Sequence, residues 1–199
     1  MSGARVLCLF SSPGWRPLQG AVLISLVSAA ALLLGAAGVA KLRQPAPVRS
    51  PLAAAGIPGA QRLGAKAATR LSGAVELALA TVALLVGGRV AAAVIALAYL
   101  VLAGLSARMM SIESGQDCGC FTKPAPVSHW HTAINLSCML AGLGTLLAPA
   151  DPLISRFGDA PATTSALLLS AALLAYLGYL MMTALPELIA ATAELEASR

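Results

Sequence analysis

The sequence predicts an all-α integral membrane protein, a helical bundle in a lipid bilayer. Of its 199 residues, 58% are hydrophobic and only 11% are charged. The mean hydropathy of +0.83 lies above that of ordinary soluble domains. The apolar residues also gather in runs of about 20, the length a helix needs to cross about 30 Å of hydrocarbon at about 1.5 Å per residue. Between the runs stand most of the prolines and charges, which mark where the chain leaves the bilayer.

Five such runs are predicted as spans, at 21–40, 70–87, 90–108, 129–149 and 163–185. The first follows Arg5 and Arg16 and ends in the small residues "AAGVA". It is longer than the 7–15 residues usual in a cleaved signal segment, so it is read as a retained span. The second is alanine-rich and contains Glu76, which makes it the weakest on an insertion scale. Only "GGR" at 87–89 separates it from the third, so these two helices form an antiparallel hairpin.

The segment from Lys41 to Arg70 is a basic connector with four prolines and no acid. A short surface helix or a solvated linker around 60–69 fits it equally well. The chain ends in "PELIAATAELEASR", an acidic tail expected to be helical. The organisation expected is an N-terminal segment at 1–20, a four-helix membrane domain at 21–150, and an additional transmembrane helix with an acidic tail at 151–199. A net charge of +5 would suggest nucleic acid in a soluble protein. Here the basic residues lie between spans, where lipid headgroups and topology account for them, and no nucleic-acid partner is expected.

Counting crossings puts the basic connector, the segment "SIESGQDCGCFTKPAPVSHWH" at 111–131 and the C-terminal tail at one end of the bundle. Glu76 and Asn135 each enter a span from that end, by about seven residues or about 10 Å, so the two are expected to meet. A carboxyl in a span needs a partner, and Asn135 or Lys41 can supply one. His131, Asn135 and Cys138 follow at i, i+4 and i+7 and share one helix face. Asn135 can equally glue helices together, Cys138 can be a small apolar packing residue, and Glu76 a protonated packing residue.

Cys118 and Cys120, with Gly119 between them, suit a small and reducible disulfide ring. Such a pair exchanges disulfides through a mixed-disulfide intermediate. His131 as an imidazolium would favour the thiolate, whereas Asp117 beside Cys118 opposes it. A second chemistry is open to the same residues: Cys118, Cys120, His129 and His131 form an S₂N₂ set able to hold zinc or copper. A transporter using Glu76, Asn135 and His131 as its pathway, and a non-catalytic membrane scaffold, are the readings from other functional classes.

"GVAKLRQP", "GAVELALA" and above all "CGCF" followed by "HWHTAINL" resemble the MauE family of methylamine-utilisation membrane proteins, relatives of the DoxX-like four-helix bundles. The resemblance covers about 22–150; Thr122 and Gln44 depart from its usual pattern. It implies a multi-pass bundle in a bacterial plasma membrane with a four-helix DoxX-like core. It also implies a thioredoxin-fold, MauD-like partner and a role in maturing disulfide-containing exported proteins, in the family the small subunit of methylamine dehydrogenase. By that resemblance Cys118 and Cys120 are the redox pair, with Glu76, His131 and Asn135 at matching positions. The polar cluster leaves room for a quinone, although no residue pattern identifies a quinone site.

The charge distribution points the other way on topology. The cysteine side carries Lys41, Arg43, Arg49, Arg62, Lys66, Arg70, Arg108, Lys123 and Arg199, against Arg5, Arg16, Arg89 and Arg156 opposite. Positive-inside reasoning places that side in the cytoplasm, whereas the resemblance implies an extracytoplasmic loop, which is the reading adopted.

Overall fold

The structure, a computed structural model, describes residues 16–45, 65–112, 128–148 and 160–197. These residues form five helices: α1 (Arg16–Arg43), α2 (Ala65–Val86), α3 (Gly88–Ile112), α4 (His129–Leu147) and α5 (Pro161–Ala197). Among the described residues there is no strand, and the chain is an all-α membrane helical bundle as its apolar runs require.

Four of the helices are long and apolar enough to cross a bilayer. The α2 span has the lowest mean hydropathy, 1.6 against 2.4 for those in α1 and α3, because Lys66, Arg70 and Glu76 lie in it. With 19 residues, α4 is the shortest helix, and its first two turns carry His129, His131 and Asn135, which dilute its apolar character. It nonetheless packs closely along α3 and against α1.

Local sequence sets the boundaries. The α2–α3 turn passes through Gly87 at φ 61° and Gly88 at φ 64°, backbone angles that a Cβ disfavours. At the start of α4, Ser128 is extended and its backbone N–H donates to Nδ1 of His131 at 3.2 Å. Histidine thus takes the place of the glutamate in a Ser-x-x-Glu capping box.

Helices α1 to α4 form a ring in which each packs on the next and α4 closes on α1. Tyr99 crosses that ring from α3, its hydroxyl donating to the Ala30 carbonyl of α1 at 2.7 Å. Around it the core is built of Leu34 and Ile95 with Ala30, Ala31, Ala80 and Ala91, the alanines being small enough to let the helices approach closely.

The fifth helix lies outside the ring, mainly on α1. Ser170 Oγ donates to Ser25 Oγ at 3.1 Å, and Gly178 faces Leu33, so α5 runs parallel to α1. The expected acidic tail is not a separate element: α5 is one helix of 37 residues with Pro186 inside it. On the α1 register Arg43 is level with Leu188, and the residues from Ile189 to Ala197 overhang α1 by roughly 13 Å.

Candidate functional site

The site begins with two copies of one spacing, Gly38-x-x-Lys41 near the end of α1 and Gly73-x-x-Glu76 in α2. Residues three apart share a helix face, so each glycine lies on the face that carries its charged neighbour. The helices touch backbone to backbone at these glycines. A Cβ at Gly38 would fall 2.7 Å from the Gly73 carbonyl oxygen, and one at Gly73 would fall 2.8 Å from Lys41 Cβ. Across this contact Lys41 Nζ donates to Glu76 Oε1, with side chains only 7% and 10% exposed. The other carboxylate oxygen, Oε2, is buried and has no hydrogen-bond partner among the described residues.

The pairing settles which partner Glu76 uses, and helix register explains the choice. Leu23 packs on Gly144, and Ala30 and Cys138 line one cleft, so α4 runs antiparallel to α1 with Ala30 opposite Cys138. That register sets Gly38, and Glu76 with it, level with the first turn of α4, whereas Asn135 is level with Leu33, about 8 Å deeper. The expected meeting of Glu76 and Asn135 at one depth is therefore corrected. The two spans do not begin at a common plane, because α2 starts eleven residues before Glu76.

His131 is level with Gly38 and is 2% exposed. Its Nδ1 accepts from the Ser128 backbone N–H, and Ser128 Oγ lies 3.0 Å from the same nitrogen. With Nδ1 accepting that bond, the ring proton sits on Nε2, so His131 offers the interior an N–H donor. His129, two residues earlier, is exposed. Asn135 is buried, and Cys138 is a half-buried free thiol. Cys118, Cys120 and Cys8 lie outside the described residues.

Tyr99 is the interior residue that sequence reasoning missed. Its hydroxyl lies within hydrogen-bonding reach of the Cys138 thiol as well as bonding Ala30. A lone tyrosine in the middle of an apolar run was the available signal, since a phenol buried in hydrocarbon needs a partner. Cys138 also borders an apolar cleft of about 150 Å³ between α1, α4 and α5, lined by Leu26, Leu33, Ile134 and Gly178 among others. Nearer the cysteine-loop end, Ser106 and Thr132 join α3 to α4 through hydroxyls 3.1 Å apart.

These features define a multi-pass membrane bundle with a buried ion pair under one end and a column of buried polar side chains below it. Over residues 18–148 the chain matches the family described as Methylamine utilisation protein MauE, and it belongs to that family. The matched region holds α2 to α4, nearly all of α1, and the segment with Cys118 and Cys120. No curated protein and no solved structure matches the chain.

Proposed function

We propose that the chain is a membrane thiol–disulfide exchange protein, passing disulfides and electrons through Cys118 and Cys120 to or from a thioredoxin-fold, MauD-like partner. The observation that carries this reading is the Cys-Gly-Cys between α3 and α4, inside the region matched to the MauE family. A closely spaced pair in a polar connector is suited to exchange, because its small ring is readily reopened by an attacking thiolate. In exchange, a thiolate of the pair attacks the partner's disulfide and forms a mixed disulfide. The second cysteine then displaces the partner, which leaves as a dithiol while Cys118 and Cys120 become the disulfide, or the reverse.

The same reading places the chain in a bacterial plasma membrane with the cysteines on the extracytoplasmic side, supporting maturation of disulfide-containing exported proteins. Involvement in methylamine metabolism follows from the family's description and is part of the proposal. The four-helix domain at 21–150 is its working unit, with Glu76, His131 and Asn135 as supporting site residues. The zinc or copper alternative is disfavoured by the placement of its histidines, since His129 is exposed whereas His131 is buried in the bundle.

The test is thiol labelling in intact cells with Cys8 and Cys138 changed to serine, using a membrane-impermeant maleimide before and after reduction. Labelling that appears only after reduction is expected. Labelling that requires broken cells would place the pair in the cytoplasm and reject this form of the mechanism. Full exchange activity in both Cys118→Ser and Cys120→Ser would remove the redox role itself.

A further inference from the structure

The unpartnered oxygen of Glu76 carries a second inference, which uses neither Cys118 nor Cys120. The Glu76 side chain is nine-tenths buried; Lys41 occupies Oε1, and Oε2 has no donor among the described residues. A buried acceptor of full charge left without a donor is costly, and a native fold normally fills such a position. What can fill it follows from the charges around it. An anion is repelled by the carboxylate. A cation is opposed by the Lys41 ammonium a few ångströms away, in surroundings where like charges interact strongly. The occupant is therefore neutral and a hydrogen-bond donor.

His131 narrows the class further. It lies level with Glu76 on the register of α1, α2 and α4, and its Nδ1 is held by Ser128, which leaves Nε2–H as the donor of a buried ring. A guest on Oε2 that also reached the His131 Nε2–H, at the same depth across the ring, would need to donate to Glu76 and accept from His131. A hydroxyl satisfies both, because it donates one hydrogen and accepts at its lone pairs. Glu76 is level with the first turn of α4, so the position lies near that end of the ring.

We propose that Glu76 Oε2 accepts a hydrogen bond from a neutral hydroxyl guest, a water molecule or the hydroxyl head of an amphiphile, held inside the bundle at the depth of His131. The Lys41–Glu76 pair is then a binding group as well as a helix contact. Its charge is balanced on one oxygen so that the other can bind an uncharged donor.

Infrared difference spectroscopy of the full chain in phosphatidylcholine nanodiscs tests this, comparing it with Glu76→Gln. An O–H stretch that moves down in H₂¹⁸O and is lost in Glu76→Gln identifies water as the guest. A Glu76-dependent carboxylate band that ignores H₂¹⁸O but shifts with added 1-octanol, and not with octane, identifies a hydroxyl head group. A carboxylic-acid C=O stretch lost in Glu76→Gln, or a carboxylate band indifferent to both probes, overturns the proposal. Should Glu76→Gln fail to fold with Lys41 unpaired, the doubly neutral Lys41→Met, Glu76→Gln protein serves as the comparison, with the same losses expected.

Discussion

Two seams of the ring solve the same packing problem with opposite chemistry. Between α1 and α2, Gly38 and Gly73 bring the backbones together and a buried ion pair crosses the contact. Between α3 and α4, Gly142 approaches the backbone of Ala92 and Ala96, where a Cβ would fall 2.9 Å from the Ala92 carbonyl oxygen. Neutral polar contacts cross there, between Ser106 and Thr132 and between Tyr99 and Cys138. At Gly142 two helices of this chain meet backbone to backbone against Ala92 and Ala96, so close approach by itself does not require a pair like Lys41–Glu76. Buried ion pairs are often no better for stability than apolar side chains of like volume, so its retention points to register or binding.

That contrast is broken most directly by removing one charge. Lys41→Met or Glu76→Gln leaves the other group buried and unpaired, with an expected loss of about 3–5 kcal/mol. The double change Lys41→Met, Glu76→Leu should recover most of that loss. Unfolding in mixed micelles titrated with a denaturing detergent measures all three. Equal losses in the double and single variants would mean that the charge itself holds the first seam together.

Next in size are the glycines. Gly38→Ala and Gly142→Ala each insert a methyl group against a neighbouring backbone that cannot turn aside, with expected losses of roughly 1–3 kcal/mol. The two seams should separate in a second readout. Gly38→Ala pushes α1 from α2 and should also disturb the Lys41–Glu76 contact, whereas Gly142→Ala should leave it intact. A Glu76 carboxylate band shifted equally by both substitutions would contradict this division of the ring.

The sequence made the helices legible because hydrophobic run length is a strong and local signal, and each of the five expected spans falls on one helix, with 70–87 and 129–149 running slightly past the ends of α2 and α4. The ion pair was half legible. A carboxyl in a span demands a partner, and Lys41 was one of two named, but choosing between Lys41 and Asn135 required a register set by Gly38 and Gly73. Tyr99 was legible only as a phenol in an apolar run that needs a partner; nothing local shows that its hydroxyl crosses the ring to a carbonyl 69 residues away. The continuity of α5 was not legible, because the apolar run ends at 185 where the acidic segment begins; the helix continues through Pro186.

Tyr99→Phe isolates the neutral side of the comparison. It removes the bond to Ala30 and the contact with Cys138 while preserving the ring, for an expected loss of about 1 kcal/mol. It should also make Cys138 react faster with a lipophilic maleimide in a background where the other cysteines are serine, because the thiol loses a neighbour. An unchanged rate would mean that the hydroxyl does not restrain the thiol.

The smallest effect has the opposite sign and tests whether close approach, rather than glycine content, makes the seams. Gly104 lies within α3, and a Cβ there would meet nothing within 4 Å. Alanine lowers the conformational entropy of the unfolded chain without meeting a neighbour, so Gly104→Ala should stabilise by about 0.5–1 kcal/mol. The same chemical change should therefore stabilise at Gly104 and destabilise at Gly38 and Gly142, with the detergent midpoint moving in opposite directions. A loss at Gly104 would reveal a contact on that face of α3 made by a neighbour outside the ring. The exposed face of α3, which includes Leu97, Leu100 and Val101, would then be a place where another membrane helix packs.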